Sequence, residues 1–124
     1  MKIDELYQVI ESPPPTYLSQ ALAVCYVLSV LLQRESYGVE LIQRLEIEHP
    51  HYRLSDTILY SALKFLKSEK AITDYWYKAP GRGRPRRMFR VNPFWQDNAK
   101  AFAYFWHQHS LLAKHQMFGK FERM

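Results

Sequence analysis

The side chains best suited to chemistry lie in residues 80–90, "PGRGRPRRMFR". Arg82, Arg84, Arg86, Arg87 and Arg90 stand there with no acid among them, while Pro80, Gly81, Gly83 and Pro85 break any helix or strand through the first half. The chain has 17 basic and 12 acidic residues, a net charge of +5, and without residues 82–90 the balance is 12 against 12. All of the excess charge belongs to one projecting segment, the electrostatic footprint of a polyanion binder.

Other chemistry finds little support. His49 and His51 flank Pro50, and His107 and His109 stand two apart on a helix and so point apart; neither spacing is the i, i+4 pair of a helical zinc site. The glycine-rich stretch joins two strands instead of opening a helix, so it is no phosphate loop. Cys25 sits inside an apolar run and reads as a small core residue. The expectation is a protein that is not an enzyme and uses no metal or cofactor.

The elements that must carry the arginines can be read from periodicity. A chain of 124 residues makes one domain with a short appendage, and 48% hydrophobic residues with 3 Trp, 9 Tyr and 7 Phe make it globular. The longest apolar run, Ala21 to Leu32, is shorter than the ~20 residues a membrane span needs, and "MKIDELYQ" lacks a secretory signal, so the chain is expected to be cytoplasmic with no membrane partner. Ile3, Leu6, Tyr7 and Ile10 mark a short amphipathic helix over 2–10, set off by "SPPP" at 12–15 as an arm on a stiff joint. Thr16 is placed to cap a central helix over about 17–33, and Ser36 to cap one over about 37–48, where Gly38 permits a close neighbour. A third helix runs from Ser55 to about Glu69, with Leu54 and Leu59 as a hydrophobic staple.

After Lys70 the pattern turns to strands, "AITDYWYK" at 71–78 and "RMFRV" at 87–91, joined by the arginine turn. From Pro93 helical periodicity returns, with Trp95, Phe102, Trp106, His109, Ala113 and Met117 along one face, flanked by Phe105 and Leu112. The order is helix, helix, helix, strand, basic turn, strand, long helix: a mainly α fold with a small β-hairpin, in the α+β class. That is the layout of a winged helix-turn-helix over 16–92, preceded by the arm at 1–15 and followed by a further helix at 93–124.

Three segments in the right order resemble the PadR-like winged-helix transcriptional regulators. "YGVELIQRLE" (37–46) is similar to that family's second helix, "LSDTILYSALKFLKSEKAI" (54–72) to its recognition helix, and "GRGRPRRMFRV" (81–91) to its wing. The resemblance covers about 17–92 and implies double-stranded DNA binding, with repression favoured by the family and by the lack of an acidic activating segment. Lys70 departs from it, standing where members usually carry Gly, and "NPFWQDN" (92–98) replaces the usual Thr-led start of the last helix. "RGRP" (82–85) is also similar to the core of an A·T-hook, extended along a narrow minor groove whose negative potential attracts guanidinium groups, with Gly83 and Pro85 keeping the chain slim and extended.

In the third helix Leu59, Ala62, Leu63 and Leu66 share the core face, leaving Thr57, Tyr60, Ser61, Lys64 and Ser68 to face DNA in the major groove. Arg82 and Arg84 are the minor-groove candidates, and Arg86, Arg87 and Arg90, nearer the hairpin base, are expected on phosphates. The stripes Ile3/Leu6/Tyr7/Ile10 and Trp95/Phe102/Trp106/His109/Ala113, with Phe105 and Leu112, lack a partner in so small a core and are expected to meet a second subunit as a homodimer, which implies an approximately palindromic site, A·T-rich where the wing lies. His109 is expected to be partly buried there. Two rival readings stay open: an aromatic-ligand sensor with a pocket between the first and last helices, where a small-molecule effector would bind, and a protein-interaction module whose arginines dock an acidic patch.

Overall fold

The computed structural model describes residues 2–4, 14–81 and 83–122, without the side chains of 113–122. Of the expected arm helix only its beginning is described; Leu6, Tyr7 and Ile10 lie outside, as do Arg82 and the side chains of Ala113 and Met117.

The chain orders as β1 (Thr16–Tyr17), α1 (Gln20–Gln33), β2 (Ser36–Tyr37), α2 (Gly38–Glu48), β3 (Tyr52–Arg53), α3 (Asp56–Ser68), β4 (Ile72–Tyr77), β5 (Arg86–Val91), a 3-10 turn (Pro93–Trp95) and α4 (Gln96–Glu122). Helices thus dominate, with β2, β5 and β4 forming an antiparallel sheet in that order and β1 pairing in parallel with β3. This is the α+β winged-helix arrangement expected from the periodicities.

The core is built around α1, in which every residue from Ala23 to Leu31 is buried. Its polar members are satisfied internally: the Ser29 hydroxyl donates to the Tyr26 carbonyl at 2.6 Å, and the Tyr26 hydroxyl donates to the Leu41 carbonyl of α2 at 2.6 Å. Burial holds the Tyr26 phenol well above its ordinary pKa, so this tie between helices stays protonated at any physiological pH.

Two caps differ from expectation. Ser19, not Thr16, caps α1 by accepting from the Leu22 amide at 3.2 Å, because Thr16 and Tyr17 are drawn into the ladder with Tyr52 and Arg53. Ser36 is buried in β2 opposite Phe89 and donates to Glu40 at 2.8 Å, so α2 begins at Gly38 with no side-chain cap. Tertiary pairing overrides local capping preference in both places.

The end of α3 explains the departure at Lys70. The Lys70 amide donates to the Lys67 carbonyl at 3.0 Å and the Ala71 amide to Leu66 at 2.9 Å, the paired bonds of a Schellman ending. That ending requires a left-handed residue, and Lys70 takes it with φ of 61°. Asn92 fastens the same corner through its side-chain amide to the Lys70 carbonyl and its backbone amide to the Ala71 carbonyl, each at 2.9 Å.

The last helix corrects the expectation for Trp106. α4 lies along α1 and buries Ala99, Ala103, Trp106 and Ser110, a stripe at helical spacing dominated by small residues. Trp106 is 1% exposed and meets Tyr26 at 5.3 Å, His49 at 5.3 Å and Tyr52 at 5.6 Å between ring centroids. It is a core residue of its own chain, not an interface residue. Large apolar side chains drew the expected stripe toward Phe102; the alanines mark the true inner face.

Candidate nucleic-acid interface

Placement of α3 follows from its two ends and its inner face. Ser55 caps the start by accepting from the Ile58 amide at 3.2 Å, while Leu59, Ala62, Leu63 and Leu66 are buried as expected. Thr57, Tyr60, Lys64 and Ser68 are exposed and Ser61 is half-buried. The Ser68 hydroxyl donates to the Phe65 carbonyl at 2.7 Å, so it offers an outside group only its lone pairs. Tyr60 lies over the first turn of α2: a β-carbon added at Gly38 would stand 3.3 Å from its hydroxyl oxygen. The expected close approach at Gly38 is thus between α2 and a DNA-contacting candidate of α3.

The helix and the wing form one surface. A cleft of about 510 Å³ is lined by Tyr60, Leu63, Lys64, Lys67 and Ser68 of α3 and by Arg87 and Phe89 of β5. Cross-strand pairs share a face of a pleated sheet, and the register pairs Asp74 with Phe89 and Trp76 with Arg87. The cleft side of the hairpin therefore carries Asp74, Trp76, Arg87 and Phe89. Asp74 bridges both elements: its carboxylate takes Lys67 of α3 at 3.1 Å and the Arg87 guanidinium. Hydrogen bonds from Arg87 and then Lys67 hold its pKa below the ordinary carboxylate range.

The pleat separates arginines that the sequence reading grouped together. Arg87 faces the cleft, its guanidinium 5.2 Å from the Phe89 ring centre. Arg86 and Arg90 face the other way: Arg86 lies 4.5 Å over the Tyr37 ring, and Arg90 lies 5.5 Å over Tyr75 and donates to Thr73 at 3.1 Å. The Tyr75 hydroxyl bonds Glu35, which also stands 4.0 Å from Arg90. At the tip, Gly83, Arg84 and Pro85 are exposed, and Arg84 is in no ion pair among the described residues. The extended course expected of "RGRP" is not found: Gly81 and Gly83 have φ of 74° and 32°, and residues 83–84 bend.

Sequence reasoning missed Lys67, Asp74 and Trp76. Period-two counting from buried Ile72 puts Asp74 and Trp76 on the inner face, a signal obscured because the strand has aromatics on both faces. Trp76 is 69% exposed beside Arg87.

Residues 27–100 match the model of the Transcriptional regulator PadR-like family. The chain belongs to that family. It is a family of transcriptional regulators, not of enzymes. The chain is also similar to two solved structures: the circadian clock associated protein Pex from Anabaena, at 60% identity over 92% of this chain and 99% of that one with a TM-score of 0.84, and Pex from Synechococcus, at 51% identity over 88% and 97% with a TM-score of 0.83. A transcriptional regulator from Clostridium thermocellum, at 23% identity over 77% and 93% with a TM-score of 0.60, shares the fold. No curated protein sequence matches.

The remaining candidates of this PadR-like chain are not among the residues that line the cleft. Ile3, Phe102, Phe105 and Leu112 are exposed, Trp95 is half-buried with its ring stacked 5.9 Å from Phe102, and His109 is half-buried 6.1 Å from Tyr52. Between α1 and α4, where a sensor pocket was an open reading, Tyr26 and Trp106 pack edge to face. Among the described residues no helix is long and apolar enough to cross a membrane, and no cluster could hold a metal ion.

Proposed function

We propose that the chain is a cytoplasmic, homodimeric, sequence-specific double-stranded DNA-binding regulator that represses transcription. The observation that carries this reading is the single cleft that α3 and β5 line together, basic through Lys64, Lys67 and Arg87 and open to solvent. In this reading α3 enters the major groove, where Thr57, Ser61 and Lys64 meet base edges and Tyr60 and Ser68 meet the backbone. The bent wing tip brings Arg82 and Arg84 to an A·T-rich minor groove, with Gly83 and Pro85 shaping the turn. Arg87 lies beside the phosphates at the cleft, and Arg86 and Arg90 add to the field from the outer face. Similarity to Pex supports clock-related genes as targets.

Dimerisation is assigned to the face of α4 that its own domain leaves open. Phe102, Phe105, His109 and Leu112 are spaced three, four and three apart, the rhythm of a coiled-coil seam, and Phe105 and Leu112 are 57% and 59% exposed. A two-fold pair of α4 helices, joined by the arm through Ile3, Leu6, Tyr7 and Ile10 and by Trp95 and Ala113, would set two α3 helices on successive turns of DNA. Selection from random duplexes with the purified protein tests the reading: recovery of an A·T-flanked, near-palindromic sequence is expected, and recovery of no common sequence overturns it. Phe105→Glu with Leu112→Glu should give a folded monomer by sedimentation that has lost most DNA affinity; a monomeric wild type removes the dimer.

A further inference from the structure

An acid paired to two of the cations that line a cleft proposed to bind DNA needs a reason, since it repels the phosphates that those cations attract. Asp74 is mostly enclosed, its side chain 18% exposed, and its two carboxylate oxygens stand 3.1 and 3.2 Å from Lys67 Nζ. The second of these oxygens also accepts from Arg87 Nε. β4 and β5 are already laddered by backbone bonds along their whole length, so the Arg87 contact adds little to holding them together. The Lys67 contact is different: among the described residues it is the only ion pair between α3 and the hairpin.

From this geometry we propose, resting on the DNA-binding reading above, that Asp74 is a specificity-determining positioning residue. It sets the separation of recognition helix and wing, and it cancels one of the positive charges in the cleft that would otherwise bind any duplex. Both effects favour the correct site over the wrong one. Sequence-independent binding grows with each uncompensated cation, whereas site-specific binding requires helix and wing to reach their grooves at the same time.

The test compares the wild-type protein with Asp74→Asn and Asp74→Glu on two probes, a duplex recovered by selection from random sequence and a shuffled duplex of the same composition. Asparagine keeps the shape and removes the charge, and circular dichroism with thermal unfolding checks that the variant is folded. For Asp74→Asn the logarithmic salt dependence on the shuffled duplex should steepen by about one, and its low-salt affinity should rise roughly threefold or more. The preference for the selected over the shuffled duplex should fall by about tenfold, within the range of one lost base-pair preference. Asp74→Glu should recover most of that preference. A merely structural role would instead move both duplexes by the same factor, and an unchanged preference in folded Asp74→Asn overturns the proposal while leaving the DNA-binding reading intact. A wild-type protein that prefers neither duplex overturns both.

Discussion

In the DNA-binding reading proposed above, α3 and the wing tip would meet DNA by opposite physical means. α3 is capped at its start by Ser55, closed at its end by a Schellman turn and anchored along its length by Leu59, Ala62, Leu63 and Leu66. Among the described residues the wing tip has no such anchorage: Gly81, Gly83, Arg84 and Pro85 are all exposed. Rigid placement suits readout of base edges, where a shift of an ångström breaks a hydrogen bond. A minor groove whose width varies with sequence is better met by a tip whose glycines accept several backbone conformations.

The sharpest break between the two comes from stability. Leu66→Ala removes a fully buried side chain from beneath α3 and should cost about 2–5 kcal/mol. Arg84→Ala, at an exposed position with no ion pair among the described residues, should stay within about 0.5 kcal/mol. Denaturant titration of both variants measures the contrast; a Leu66→Ala cost under about 1 kcal/mol would mean that α3 is not held by its inner face.

Binding should invert that ranking within the wing itself. Replacing Arg82 and Arg84 together by Ala should reduce the logarithmic salt slope by about two and flatten the preference for A·T flanks. Arg87→Ala should reduce the slope by less than one, because Asp74 already offsets part of its charge. On the helix, Lys64→Ala should cost about 1–3 kcal/mol of specific binding if its contact is to a base, with the salt slope separating a base contact from a phosphate one. Equal slopes for Arg84→Ala and Arg87→Ala would show that the Asp74 pairing does not persist on DNA.

Much of this contrast was legible in residue order. The inner face of α3, its Ser55 cap, the burial of Leu54 and Leu59 and the two hairpin strands all follow from local rules, and all are found. Arginine content located the wing but not its faces, since one residue of register decides which arginine meets Asp74 and which meets Tyr37. The caps at Thr16 and Ser36 failed because strand pairing with distant residues claimed both segments. Trp106 was misplaced because the inner face of α4 is set by Ala99 and Ala103, whose small size invites close packing on α1 while contributing little to an apolar count.

Ser55→Ala tests how far the rigidity of α3 depends on its ends. Loss of the bond from the Ile58 amide should cost about 1 kcal/mol in denaturant titration, more than Arg84→Ala at the exposed tip. Specific binding should weaken with it, because Thr57 sits in the turn that the cap fixes.

A small effect of the opposite sign is expected at the other end of the same helix. Lys70 holds a left-handed φ of 61°, a conformation that costs a residue with a β-carbon about 1–2 kcal/mol. Glycine at this position removes the strain but gains conformational freedom in the unfolded chain, which opposes it by roughly 0.5–1 kcal/mol. The bonds that close the turn come from the amides of Lys70 and Ala71 and from Asn92 to the Lys70 carbonyl, all of which Lys70→Gly keeps. The net expectation is a gain of about 0.5 kcal/mol, read as a rise of a degree or more in the thermal midpoint. The substitution removes one charge beyond the end of α3 while leaving the helix in place, so base preference should not change. A fall in stability would show that the aliphatic stem of Lys70 packs more strongly than its backbone is strained, and a changed base preference would place the end of α3, not only its first turns, against DNA.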